Sequence, residues 1–177
     1  MTEPRQVRSW IEQAEADLAA ARTKGDGIAE CHRRYWLQQS YEKAIKALAL
    51  MKWTGGPRDE TEFSKQFLLQ HSPLKKVGAT PTPLSKALRL LARELDAHVR
   101  RLDNGGILRQ IDATTPTIDP AEVSYRYPFR RDGDFLAPAS FEDWDLYQGN
   151  FMAAESAVRR LIGVVKDEFQ LFARTPK

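Results

Sequence analysis

Several signals that would narrow the function are missing from this chain. Its 177 residues include one cysteine, Cys31, which excludes an internal disulfide framework and a multi-cysteine zinc site. No stretch approaches the ~20 consecutive apolar residues of a transmembrane helix. The first five residues lack the apolar run of a secretory signal. We therefore expect a cytoplasmic protein that does not associate with a membrane.

Motifs for phosphate loops and metals are also missing. The glycine pairs at residues 55–56 and 105–106 precede no Lys-Ser/Thr pair, so neither resembles a phosphate-binding loop. The three histidines, His32, His71 and His98, show no HExxH spacing and have no carboxylates in a ligand pattern. The sequence predicts neither a bound metal nor a cofactor.

The composition is typical of a soluble globular domain. Charged residues make up 29% and hydrophobic residues 42% of the chain, with a net charge of +3. This basic balance permits a nucleotide or nucleic acid as partner without requiring one. A chain of this length is most simply a single domain over residues 1–177.

Apolar residues recur at three- and four-residue steps in four segments, which predicts four long helices. We place them at about residues 4–22, 28–52, 82–102 and 140–172, with Gly149 able to delay the start of the last one to residue 150. A short extra helix is predicted at about residues 59–70. No segment alternates as a strand would. The pattern predicts an all-α, antiparallel four-helix bundle, and residues 104–139, with four prolines, are predicted to form an extended loop.

The second predicted helix carries a polar stripe although most of its circumference is apolar. The stripe gathers His32, Gln39, Lys43 and Lys46, with Gln38 and Glu42 beside them. One interpretation is a solvated face of a bundle helix. The other is a binding site, because a mostly buried helix retains such groups at a cost in stability.

Four short motifs, in this order and spacing, resemble the signatures of the HEPN (higher eukaryotes and prokaryotes nucleotide-binding) domain family over about residues 7–172. They are Trp10 with Ala14-Glu15-Ala16-Asp17-Leu18, Gln38-Gln39 with Glu42-Lys43-Ala44-Ile45-Lys46-Ala47, His71-Ser72-Pro73-Leu74, and Arg126-Tyr127-Pro128. The third departs from the family's His-Asp-Leu element at Ser72-Pro73.

The resemblance implies an all-α bundle, commonly a homodimer, which either binds nucleotides or nucleic acid or cleaves RNA without a metal. It also implies a protein partner of the toxin–antitoxin or defence type. Lysines and arginines suit phosphates, glutamine can hydrogen-bond a base edge, and tyrosine can stack on a base. The predicted ligand-binding residues are Gln39, Lys43, Lys46, Arg126, Tyr127 and Arg130. An alternative for residues 125–131 is that their aromatic rings anchor the loop.

The family's RNases carry Arg-x4-6-His near the start of the last helix, but no histidine follows Arg126 here. The literal Arg-x4-His of this chain is Arg93 to His98, inside the third helix. Residues five apart on a helix diverge by ~140°, which argues against a shared site. We therefore predict a catalytically degenerate binding protein. The alternatives are a metal-independent RNase toxin that uses Arg93 and His98, and a purely structural dimerisation or adaptor module.

Overall fold

The computed structural model describes residues 3–23, 25, 27–69, 86–113, 125, 129–131, 134–142, 144–145 and 149–174. Within these ranges the protein is mostly helical, with six α-helices. They are α1 (Pro4–Arg22), α2 (Glu30–Lys52), α3 (Pro57–Phe63, continued by a π turn at Ser64–Leu68), α4 (Lys86–Leu102), α5 (Ile107–Ala113) and α6 (Phe151–Arg174). A two-stranded ribbon joins β1 (Phe129–Arg131) to β2 (Asp134–Leu136), and short 3-10 turns occupy Asn104–Gly106 and Pro138–Ser140.

The main core forms where α2 packs against α1 and α6. Contacts between α1 and α2 run in opposite directions: Arg33 reaches the end of α1 at Ala21, whereas Lys46 reaches its beginning at Trp10. These two helices are therefore antiparallel. No helix among the described residues is both long enough and apolar enough to cross a bilayer.

The predicted inner faces of the long helices are buried. In α4 the apolar residues Leu88, Leu91, Leu95 and Val99 recur at three- and four-residue steps and face the core. The predicted start of this helix, residues 82–85, lies outside the described residues. In α2 burial extends beyond the predicted apolar face: the polar residues Glu42 and Lys46 are also buried.

The prediction of an extended loop over residues 104–139 is wrong in part. Helix α5 occupies seven of those residues, and its Leu108 and Ile111 belong to the main core. The Asp103 carboxylate accepts hydrogen bonds from the backbone N–H groups of Leu108, at 2.6 Å, and Arg109. A two-turn helix capped from a preceding loop leaves little periodicity to detect in the sequence.

One further prediction needs correction. The chain contains a ribbon where no sheet was expected, because strands of three residues are too short to show alternation. The last helix begins at Phe151, which agrees with the later of the two predicted starts, the one just after Gly149. Gly149 adopts φ +71° and the Asn150 side chain accepts a hydrogen bond from the backbone N–H of Ala153, so the helix starts anew there.

Candidate functional site

His32 of the polar stripe of α2 is exposed, but the rest of the stripe is buried or partly buried and forms a continuous chain of hydrogen bonds that reaches α1. Lys43 donates to Asp17 of α1 at 2.5 Å and to Gln39 at 3.3 Å. Gln39 in turn donates to Glu42 at 3.3 Å, and Lys46 donates to the other oxygen of Glu42. We call these residues, Asp17, Gln39, Glu42, Lys43 and Lys46, the polar seam.

The polar seam is not a solvated face, so the first interpretation of the stripe is wrong. The side chains of Glu42 and Lys46 are 5% and 6% exposed, and those of Asp17 and Lys43 are 15% and 17% exposed. The Lys46 ammonium also lies 5.2 Å from the centre of the Trp10 ring, within the range of a cation–π contact. Each charge meets an opposite charge inside the fold, as buried charges require.

Gln38 lies beside the seam but has no hydrogen-bond partner within the described part of the chain. The residue is 1% exposed, and neither its amide oxygen nor its amide nitrogen is satisfied. An unpaired buried amide costs about 1–3 kcal/mol. This is the stripe residue whose position is least explained by packing with the described residues.

The remaining predicted ligand-binding residues come from the segment before α6. Arg126 and Tyr127 lie outside the described residues, and Arg130 is described as a backbone position in β1 that pairs with Phe135. Tyr125, just before them, is buried with its ring centre 5.2 Å from that of Trp144. The binding role of Gln39, Lys43, Lys46, Arg126, Tyr127 and Arg130 remains a prediction.

The Arg93 and His98 side chains occupy different environments on α4. Arg93 is exposed, whereas His98 is partly buried between α4 and α6. His98 Nδ1 lies 3.1 Å from the Glu94 carbonyl oxygen and Nε2 lies 3.4 Å from Glu168 Oε1. Both ring nitrogens face acceptors of the protein itself, an arrangement that suits a role in packing rather than in proton transfer.

A second group of cations lines a groove between α1 and α6, with a cavity of about 340 Å³. Its floor is apolar and small, formed by Leu18, Ala19, Ile162 and Gly163. Three cations, Arg22, Arg159 and Lys166, and one carboxylate, Glu15, complete the lining, and we call this the basic groove. Lys166 pairs with Glu15 at 2.6 Å, and Arg22 Nε lies 3.4 Å from the buried Glu155. Arg159 is exposed and makes no ion pair with the residues that the structure describes.

Sequence reasoning missed the basic groove and the buried position of Arg34. Arg34 is 3% exposed, donates to Glu30 at 2.7 Å and to the Gly149 carbonyl at 3.1 Å, and pairs with Asp145. The Asp145 carboxylate also accepts a hydrogen bond from the backbone N–H of Phe151. Arg34 thus joins the beginning of α2 to the beginning of α6. Two of its partners, Asp145 and Gly149, lie more than 100 residues away in sequence, so no local pattern could reveal these contacts.

Comparisons with known proteins add no family assignment. No family model, no curated protein and no solved structure matches this chain. Among the described residues, no group of three or more histidine, cysteine or acidic side chains is placed to hold a metal ion.

Proposed function

We propose that this chain is a catalytically degenerate, HEPN-like, antiparallel four-helix bundle that binds a nucleotide or RNA. It forms a homodimer and works with a protein partner of the toxin–antitoxin or defence type. The basic groove contacts the phosphates of the ligand.

The contacts of the polar seam support the HEPN-like part of the proposal. The segments that carry the resemblance in α1 and α2 touch each other directly. Asp17 of the first motif pairs with Lys43 of the second, and the Ser40 hydroxyl donates to the Ala14 carbonyl at 2.7 Å. The motif residues therefore have a physical reason to occur together, which is to hold two antiparallel helices in register.

The basic groove is the observation that carries the binding proposal. The lysines of the seam have acidic partners inside the fold. Arg22 and Lys166 also have acidic partners, Glu155 and Glu15, but their own side chains are about half exposed. Arg159 in particular has its full charge available to a ligand, because no described acidic group pairs with it. A cationic rim around an apolar floor suits a phosphodiester backbone with its bases or sugars against the floor.

The environment of His98 favours a degenerate site over an RNase. A general base must reach the proton that it removes, but both nitrogens of His98 face acceptors of the protein itself. The exposed guanidinium of Arg93 lies on another face of the same helix. The structure therefore offers no specific support for the RNase alternative.

The test is a fluorescence-anisotropy titration of short labelled single-stranded RNA at several salt concentrations, with ATP and GTP as competitors. Each phosphate contact contributes about 0.7 to the slope of log K against log salt for single strands. Arg159→Gln should lower the magnitude of the slope by about this amount. The matched control is Arg93→Gln, which removes an equally exposed arginine on α4 and should bind like the parent.

Two outcomes would contradict the proposal. One is that no RNA or nucleotide binds at millimolar ligand and low salt. The other is that Arg159→Gln and Arg93→Gln weaken binding equally, because the attraction would then come from net charge and not from the groove. Cleavage of the RNA by the parent, lost in His98→Ala, would favour the RNase alternative instead.

A further inference from the structure

A second cavity, of about 380 Å³, lies at the first turns of α2, against the 3-10 turn that precedes α6. Its lining is formed by Cys31, His32, Tyr35, Tyr125 and residues 137–139. Small-molecule sites span about 300–1,000 Å³, so this volume fits a ligand of one or two rings.

The cavity belongs to a small aromatic core that is separate from the main one. Cys31, Tyr125 and Trp144 are its buried members, and Tyr35 and Phe141 pack against them. The Trp144 ring meets Phe141 edge-on, with ring centres 4.9 Å apart, and meets Tyr125 at 5.2 Å. Of these rings, Tyr125 lines the cavity, and its contact with Trp144 holds this part of the wall in place.

The chemistry of the lining favours a neutral ligand. The part of the lining that the structure describes contains no carboxylate, lysine or arginine. Burial raises the pKa of the Cys31 thiol against smaller opposing effects of backbone hydrogen bonds, so the thiol stays protonated at neutral pH. A charged ligand would lose its hydration without gaining a counter-charge.

The lining also selects for a flat ring. Tyr35, Tyr125 and His32 present three aromatic rings, and residues 137–139 add Ala, Pro and Ala as an apolar wall. Aromatic rings gain about 0.5–1.5 kcal/mol from ring contacts beyond the area that they bury. The imidazole of His32, which is exposed, supplies a hydrogen-bonding position at the edge of the site.

We propose that this cavity is a binding site for a small, neutral, planar aromatic molecule, distinct from the basic groove. The site does not depend on RNA binding, because it shares no lining residue with the groove. Indole is the probe: it is neutral, planar and has two rings. Cyclohexanol serves as the neutral non-aromatic control and indole-3-carboxylate as the charged one.

Binding is followed by the shift of the Trp144 indole N–H resonance, assigned with Trp144→Phe. Ala139→Phe should fill the cavity and weaken indole binding at least tenfold, whereas Ala16→Phe, at an exposed position of α1, should leave it unchanged. Tyr35→Phe keeps the ring and should retain binding, while Tyr35→Leu should lose it.

Indole should bind at least tenfold more tightly than both control molecules. Equal binding of cyclohexanol would overturn the aromatic assignment, and equal binding of the carboxylate would overturn the neutral one. Unchanged indole affinity in Ala139→Phe would overturn the site itself.

Discussion

The polar seam and the basic groove are both rich in cations, and both lie along α1, yet their charges are used differently. In the seam, Lys46 is buried and Lys43 is partly buried, and they pair with Glu42 and Asp17. In the groove, Arg159 is exposed with no described acidic partner, and Lys166 is about half exposed. The same residue types thus stabilise the fold in one place and remain available to a ligand in the other. The seam lies between α1 and α2, where acidic side chains face the lysines, whereas the groove lies between α1 and α6 at the surface.

The largest expected effect comes from breaking the seam at Lys46. Lys46→Met leaves the Glu42 carboxylate buried without its cation, which should lower the free energy of unfolding by about 3–5 kcal/mol. The double variant Glu42→Leu with Lys46→Met removes both charges and should recover most of the loss. Urea unfolding of the parent, both single variants and the double variant measures this. A double variant as unstable as Lys46→Met would show that the pair is not the cause.

A smaller effect, of opposite sign, is expected at Gln38. Gln38→Met replaces an unpaired buried amide with an apolar side chain of similar length, so the free energy of unfolding should rise by about 1–2 kcal/mol. The matched control is Gln39→Met, which should destabilise by about 1 kcal/mol because the Gln39 amide has two partners. Chemical denaturation of both variants decides the point. Destabilisation by Gln38→Met would mean that this amide has a partner beyond the described contacts.

The smallest effect is expected where α2, α4 and α6 meet. A hydrogen bond from Lys52 at 2.8 Å, opposed by burial and supported by the charges of Lys52 and His98, lowers the pKa of Glu168. Burial works against the charged form of Lys52, but Glu168 and Glu94 outweigh it and raise its pKa.

The two pKa shifts make the stability of the fold depend on pH at opposite ends of the pH range. The lowered pKa of Glu168 gives stability that is present above its ordinary value of 4.5 and is lost as pH falls through the lowered value. The raised pKa of Lys52 gives stability below 10.5 that is lost as pH rises through the raised value. Lys52→Met should flatten both ends by about 1 kcal/mol or less, as measured by Tm against pH. An unchanged profile would contradict this assignment.

The periodicity of the sequence was enough to predict the long helices, since the inward residues of α1 and α4 follow three- and four-residue steps. It could not predict the environment of the polar stripe. Whether Lys43 faces water depends on Asp17, 26 residues earlier, and on how α1 packs across it. Because α2 is buried nearly all round, its sequence shows little contrast between an inner and an outer face. The stripe therefore stands out as polar, but the sequence does not show what it faces.

Neither the basic groove nor the aromatic cavity could be predicted from the sequence. Arg22 and Arg159 come from the ends of the chain, and each is an ordinary surface arginine until α1 and α6 are placed side by side. The sequence shows that Tyr125 and Trp144 are aromatic, but not that they pack with Cys31. That packing depends on the fold of the segment before α6, in which the apolar residues follow no helical or strand period.

The most direct test of the contrast between seam and groove is RNA affinity in variants matched to each region. Asp17→Asn with Lys43→Gln neutralises the seam pair without changing the net charge, and Arg159→Gln removes one charge from the groove. In the anisotropy titration at low salt, the seam double variant should bind RNA like the parent, while Arg159→Gln binds more weakly and with a shallower salt dependence. RNA binding that is weakened by the seam double variant and unaffected by Arg159→Gln would contradict the account, because the cations of α2 would then be the ligand-binding groups.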